Sequence, residues 1–165
     1  MKRLLLALPL LLAACSTTVD LSTAADMAEM EAEVVPRVAT KTAMRAFDKY
    51  CVQNPGSPGR TVSTLKADGY QLLVTSRRMF GYVRPSRPFV GVIDEPYEPA
   101  CMVMVQRDPQ LASTFDRFVN TRHQDPIDAG RNQGVDRAWI VTGSRDRIYT
   151  RTLDGTEEVL MLITR

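Results

Sequence analysis

Residues 101–122 read Cys101-Met102-Val103-Met104-Val105-Gln106, then Arg107-Asp108-Pro109-Gln110, then Leu111-Ala112-Ser113-Thr114-Phe115-Asp116-Arg117-Phe118-Val119-Asn120-Thr121-Arg122. The first six residues form a short apolar run with two β-branched valines, the pattern of a buried strand. Asp108-Pro109 offers a helix cap followed by proline at the first helical position, where its missing N–H costs nothing. Leu111, Phe115, Phe118 and Val119 then stand at i, i+4, i+7 and i+8, so one face of a helix is apolar. A strand running straight into an amphipathic helix requires that the helix pack back on a sheet.

Working outward, residues 70–75, 79–83 and 89–93 have strand character before this point. Asp94-Glu95-Pro96-Tyr97-Glu98-Pro99 links the last of them to residues 101–106 through a turn stiffened by two prolines. Further upstream, residues 37–53 place Met44, Phe47 and Cys51 on one helical face. The chain breaks at Asn54-Pro55-Gly56-Ser57-Pro58-Gly59. A shorter helix is expected over 61–68, with Gly69 as its C-terminal stop. Downstream, residues 124–136 read as a polar loop, followed by strands at 138–142, 147–153 and 159–164. Gly143-Ser144 and Asp154-Gly155 supply the turns between them. The expected fold is α+β: a mostly antiparallel sheet of about five to seven strands with two or three helices on one face, in the order ααββββαβββ. This single domain is expected to occupy residues 37–165. Its closing helix and three-strand meander resemble PAS and Cache sensor domains in element order. The resemblance is one of element order and carries no function with it.

The N-terminus has a different grammar. Met1-Lys2-Arg3 is positive, residues 4–12 are apolar, and Leu12-Ala13-Ala14-Cys15 follows. Nine apolar residues fall far short of the roughly 20 that span a bilayer as a helix. Charge, a short greasy core and small residues, in that order, make a secretory signal. Its last four residues resemble the bacterial lipobox, which implies cleavage after residue 14 and lipid on Cys15. Ser16, rather than Asp, follows the cysteine. In lipoprotein families that implies the outer membrane, with the domain facing the periplasm.

Removing the first 14 of 165 residues takes Lys2 and Arg3 with it, leaving 19 basic against 19 acidic side chains. Charge is nevertheless uneven. Residues 16–36 hold Asp20, Asp26, Glu29, Glu31 and Glu33 with no lysine or arginine, so the remainder carries a net +5. Residues 15–36 are expected to be a lipidated acidic tether, whose 20 or so residues reach roughly 70 Å when extended. Met27, Met30 and Val34 at i, i+3 and i+7 leave a short helix docked on the body as the alternative.

With Cys15 spent on lipid, Cys51 and Cys101 form an even pair in an oxidising compartment, and a disulfide is expected. No Cys-x-x-Cys spacing marks a redox pair. His123, the one histidine, cannot build a zinc site with both remaining cysteines committed, and reads as an exposed residue just past a helix end. Asp94, Glu95 and Glu98 lack an Asp-x-Asp-x-Asp-Gly calcium pattern and read as a solvated hairpin tip, as does Glu157-Glu158. Gly130-Arg131-Asn132-Gln133-Gly134 lacks the Gly-Lys-Ser/Thr ending of a P-loop. Neither metal nor cofactor is expected, and no nucleophile signature points to catalysis.

Arginine is the one enriched chemistry: Arg77, Arg78, Arg84 and Arg87 in one segment, then Arg145, Arg147 and Arg151. On a strand, Arg147, Tyr149 and Arg151 share the face opposite Ile148 and Thr150. Such a face can grip phosphate or carboxylate groups. The expected partners are therefore the membrane, through Cys15, and an anionic envelope component or envelope protein, with no nucleic acid. The function so read is that of a non-enzymatic envelope binding or assembly module. A sensor with a small-ligand pocket is the alternative, and an envelope hydrolase the second.

Overall fold

The computed structural model describes residues 35–164 except 77, 133–134, 145 and 154–156. Cys15, the signal and most of the tether lie outside the described residues, as do Arg77, Arg145 and the Asp154-Gly155 turn.

Helix α1 (Thr40–Ala46) runs on as a π-helical stretch, Phe47–Val52, and α2 (Pro58–Ala67) follows the proline-glycine break. Pro58 occupies the start of α2, so the second helix begins three residues before its expected position. Strands β1 (Gln71–Ser76), β2 (Met79–Val83), β3 (Phe89–Ile93) and β4 (Ala100–Gln106) form a meander. Helix α3 (Leu111–Arg122) crosses over, and β5 (Ile127–Asn132), β6 (Val135–Ile140), β7 (Arg147–Leu153) and β8 (Glu157–Ile163) form a second meander. The fold is α+β, with an eight-stranded sheet ordered β1-β2-β3-β4-β8-β7-β6-β5 in which every neighbouring pair is antiparallel.

The sheet has one strand more than the upper expectation. Strand β5 occupies what reads as a polar loop. It is an edge strand, paired with β6 through an irregular register, and Ile127 is 57% exposed. A strand with no buried face leaves no alternation in the sequence to find. The closing meander accordingly has four strands where the PAS- and Cache-like order has three.

Helix α3 carries the anticipated face: Leu111, Phe115 and Val119 are fully buried, and Phe118 is half-buried against them. It begins two residues late, because a turn precedes it. Leu111 N–H donates to the Asp108 carbonyl at 2.9 Å, and Gln110 N–H donates to Asp108 Oδ1 at 2.9 Å. The other Asp108 oxygen accepts Thr40 Oγ1–H at 2.6 Å, tying the start of α1 to the approach of α3. These donors hold the Asp108 carboxyl below the usual range.

The helices cover one sheet face. Phe115 stands edge-on to Phe47 (5.2 Å between centroids) and to Trp139 (5.6 Å), in one buried cluster with Val90, Val103, Ile148 and Leu160 of the sheet. Each such side chain contributes about 1.5–3 kcal/mol on burial. The Cys51 and Cys101 sulfurs lie at disulfide distance with their Cα atoms 5.3 Å apart, joining the π-helical stretch to central strand β4.

The opposite face is apolar too. Phe89, Met102 and Met104 are fully buried there, with Val74, Met79 and Val159 nearly so. Gly81 and Gly91 sit opposite each other in the β2–β3 pair. A Cβ on Gly81 would meet Phe89 Cζ at 2.5 Å, and one on Gly91 would meet Met102 Cγ at 2.7 Å. Phe89 and Met102 therefore lie flat over bare backbone, which only glycine permits.

Candidate functional site: a basic cleft at Tyr50 and Tyr70

Three segments far apart in sequence meet at one edge of the helical layer. The first is α1 with its π-helical continuation, which brings Thr42, Arg45, Lys49 and Tyr50. Interruptions of this type recur at functional sites because they redirect side chains. The second is the end of α2. There Gly69 adopts φ +79°, Gly69 N–H donates to Lys66 O and Tyr70 N–H to Leu65 O, turning the chain and presenting Asp68 and Tyr70. The third is the β2–β3 turn, Arg84-Pro85-Ser86-Arg87. Proline at its second position and Ser86 at φ +59° close it through Arg87 N–H to Arg84 O at 3.1 Å.

These segments line a cleft of about 300 Å³, at the lower end of the range for small-ligand sites. Four cations, Arg45, Lys49, Arg84 and Arg87, face one carboxylate, Asp68. Asp68 is committed: its Oδ2 receives Lys49 Nζ at 2.6 Å and Tyr50 Oη–H at 2.6 Å, while its carbonyl accepts from Arg84. The Lys49 ammonium and the Tyr50 hydroxyl hold its carboxyl below the usual range. Arg45 and Arg87 make no ion pair among the described residues. The Tyr50 and Tyr70 rings meet edge to face, 5.4 Å between centroids. Burial, then the bond to Asp68, pushes the Tyr50 hydroxyl far above its ordinary value, and burial pushes Tyr70 up to about 12. Both phenols therefore keep their protons at neutral pH. The cleft offers guanidinium, ammonium and hydroxyl donors, the set that receives an anion.

The sequence-predicted sites fare differently. Arg147, Tyr149 and Arg151 do share one face of β7, with Ile148 and Thr150 buried on the other. That face is less wet than a row of solvated residues, because it continues the apolar second face of the sheet. Tyr149 is half-buried beside Met161 and its hydroxyl donates to the Met161 sulfur; burial raises its pKa. Arg147 Nη2 pairs with Glu98 at 2.9 Å, and its Nε is buried with no hydrogen-bond partner. Arg151 is exposed. The hairpin acids serve as partners for arginines: Glu98 as above, and Glu95 with Arg78 at 2.6 Å. His123 follows α3, its backbone N–H bonded to Val119 O; burial lowers its pKa, and its Nε2 is buried without a partner. Gly130, Arg131 and Asn132 lie on β5, and Glu157 and Glu158 on β8. Among the described residues no three His, Cys, Asp or Glu side chains group to hold a metal, and no helix is long and apolar enough to cross a membrane.

Of the cleft, only Arg84 and Arg87 stand out in the sequence, as members of an arginine-rich segment. Arg45, Lys49, Tyr50, Asp68 and Tyr70 carry no local signature, since their common chemistry exists only after folding. No family model, no curated protein and no solved structure matches this chain.

Proposed function

We propose that this protein is an envelope lipoprotein, anchored through lipid on Cys15 at the periplasmic side of the outer membrane, and that it works as a non-enzymatic binding module for an anionic partner. The cleft at Tyr50 and Tyr70 carries this reading, with four cations against one internally satisfied carboxylate. Two of those cations, Arg45 and Arg87, keep their donors for a ligand. Guanidinium groups match phosphate and carboxylate geometry, and the protonated Tyr70 phenol adds a donor without adding charge, the Tyr50 hydroxyl being committed to Asp68. The envelope supplies such anions as phosphorylated lipid headgroups and the carboxylates of peptidoglycan stems.

The test has two arms on the mature chain. Fractionation compares native protein with Cys15→Ala, which is expected to leave the membrane fraction while remaining folded. Binding compares native protein with Arg45→Ala/Arg87→Ala on lipopolysaccharide micelles and on peptidoglycan sacculi. The double variant is expected to lose retention on one of the two, and native binding to weaken with salt, because screening acts over about 8 Å at physiological ionic strength. Equal retention of both proteins on both probes would overturn the anion reading. A Cys15→Ala protein still in the membrane fraction would overturn the anchor.

A further inference from the structure

Where β4 gives way to α3, a second cleft of about 200 Å³ opens, and it shares no lining residue with the first. Four parts of the chain wall it: Arg107 with the approach to α3, the first turn of α3 at Ala112, edge strand β5 at Arg131, and the β6–β7 pair. Two carboxylates line it, and they differ. Asp108 is fully engaged, by Thr40 on one oxygen and by Gln110 N–H on the other. Asp136 Oδ2 accepts Thr152 N–H and, at 2.7 Å, Thr152 Oγ1–H, which leaves Oδ1 without a partner among the described residues. Arg107 and Arg131 are exposed and make no ion pair among the described residues. Thr150 sits in β7 between Arg137 of β6 and Leu160 of β8. It is 3% exposed, lines the cleft, and its hydroxyl makes no hydrogen bond among the described residues.

From this set of unused groups we infer that the cleft is a second binding site, and that it takes a small zwitterion, one molecule carrying both an oxyanion and an ammonium group. The oxyanion goes to the Arg107 and Arg131 guanidiniums, whose planar fork matches carboxylate and phosphate alike. The first turn of α3, lining the cleft at Ala112, adds the positive end of a helix dipole. The ammonium goes to Asp136 Oδ1, and the Thr150 hydroxyl is free to accept from it. Charge argues against a simpler ligand. Two guanidiniums and two carboxylates cancel, so a lone anion or a lone cation meets as much repulsion as attraction. A zwitterion is attracted at both ends. The first cleft, with four cations to one carboxylate, has no such balance. Size is a further limit, because the volume lies below the range of drug-sized sites. The α-carboxylate and α-ammonium of a small amino acid have the required chemistry, and so do the phosphate and ammonium of an ethanolamine phosphate headgroup.

The experiment titrates the 15N-labelled mature chain with L-alanine and with O-phosphoethanolamine, following the amides of Ala112, Thr150 and Thr152. At least one zwitterion is expected to shift these signals saturably, and which one does so names the source of the oxyanion. Acetate, inorganic phosphate and ethylamine at the same concentration are expected to leave them in place. Arg131→Ala, on an exposed edge-strand side chain, is expected to weaken binding about tenfold, as loss of one hydrogen bond between charged groups does. Asp136→Asn keeps an oxygen for Thr152 and is expected to weaken it similarly. Arg45→Ala/Arg87→Ala is expected to change nothing here, so the two clefts are judged separately. No shift with either zwitterion, or an equal shift with phosphate, acetate or ethylamine alone, would overturn the inference. So would native-like binding by both Arg131→Ala and Asp136→Asn.

Discussion

The Tyr50 hydroxyl and Asp68 Oδ2 are 2.6 Å apart, and the same carboxylate oxygen holds Lys49 Nζ at 2.6 Å. This contact ties the π-helical stretch to the end of α2, where a carboxylate is disfavoured by the helix dipole and needs such partners. Its folded pKa is lowered, chiefly by Lys49 and then by Tyr50. A group with a depressed folded pKa contributes stability that is complete above its unfolded value, about 3.9, and is lost as pH falls through the folded value. Urea unfolding followed by Trp139 emission is therefore expected to show declining stability below about pH 4. Asp68→Asn should flatten part of that acid limb and cost about 1 kcal/mol at neutral pH, the carboxylate being partly exposed. An acid limb unchanged by the substitution would show that Asp68 takes no part in it.

Reduction of the Cys51–Cys101 pair should be costly. The sulfurs close a loop of 50 residues, for which chain entropy gives about 4 kcal/mol. Native protein should show no reactive thiol from these positions. Cys51→Ala/Cys101→Ala should unfold at markedly lower urea concentration, and an unchanged midpoint would remove the pair from the stabilising contacts.

Gly81→Ala should destabilise by about 1–3 kcal/mol, as overpacking of a filled core does. Its new Cβ would meet Phe89 Cζ at 2.5 Å and Val74 Cβ at 3.1 Å, and a ring pinned by neighbours cannot slide aside. Gly59→Ala is the control, since nothing lies within 4 Å of its Cβ position. Thermal unfolding of the two variants should separate them clearly.

The arginines of β7 should differ in cost. Arg151 is exposed, so Arg151→Ala should stay within about 0.5 kcal/mol of native stability. Arg147, at the start of β7, pairs with Glu98 of the β3–β4 connection, its side chain 38% exposed. Arg147→Ala should cost up to about 1 kcal/mol, and the cost should shrink at high salt. A double-mutant cycle of Arg147 with Glu98 measures the pair directly. Zero coupling energy would make the contact a surface coincidence.

Local periodicity by itself determined α3, through Leu111, Phe115 and Val119, and determined β2, β3 and β7 to the residue. In α3 and β7 the buried side writes its own period into the chain, while β3, buried on both faces, is marked by a short apolar run between turn residues instead. Cysteine arithmetic likewise paired Cys51 with Cys101. Strand β5 left no such mark, because an edge strand with Ile127 exposed has no buried face to alternate with. The junction of the two meanders at β4 and β8 was decided only in three dimensions, where Met102 meets Met161 and Met104 meets Val159. No local preference chooses which of several apolar strands becomes a neighbour; the shared burial of both faces does. The cleft belongs to tertiary structure for the same reason. Arg45, Lys49 and Asp68 are ordinary surface residues in the sequence, and only packing of α1, the end of α2 and the β2–β3 turn puts their charges around one cavity with Arg84 and Arg87.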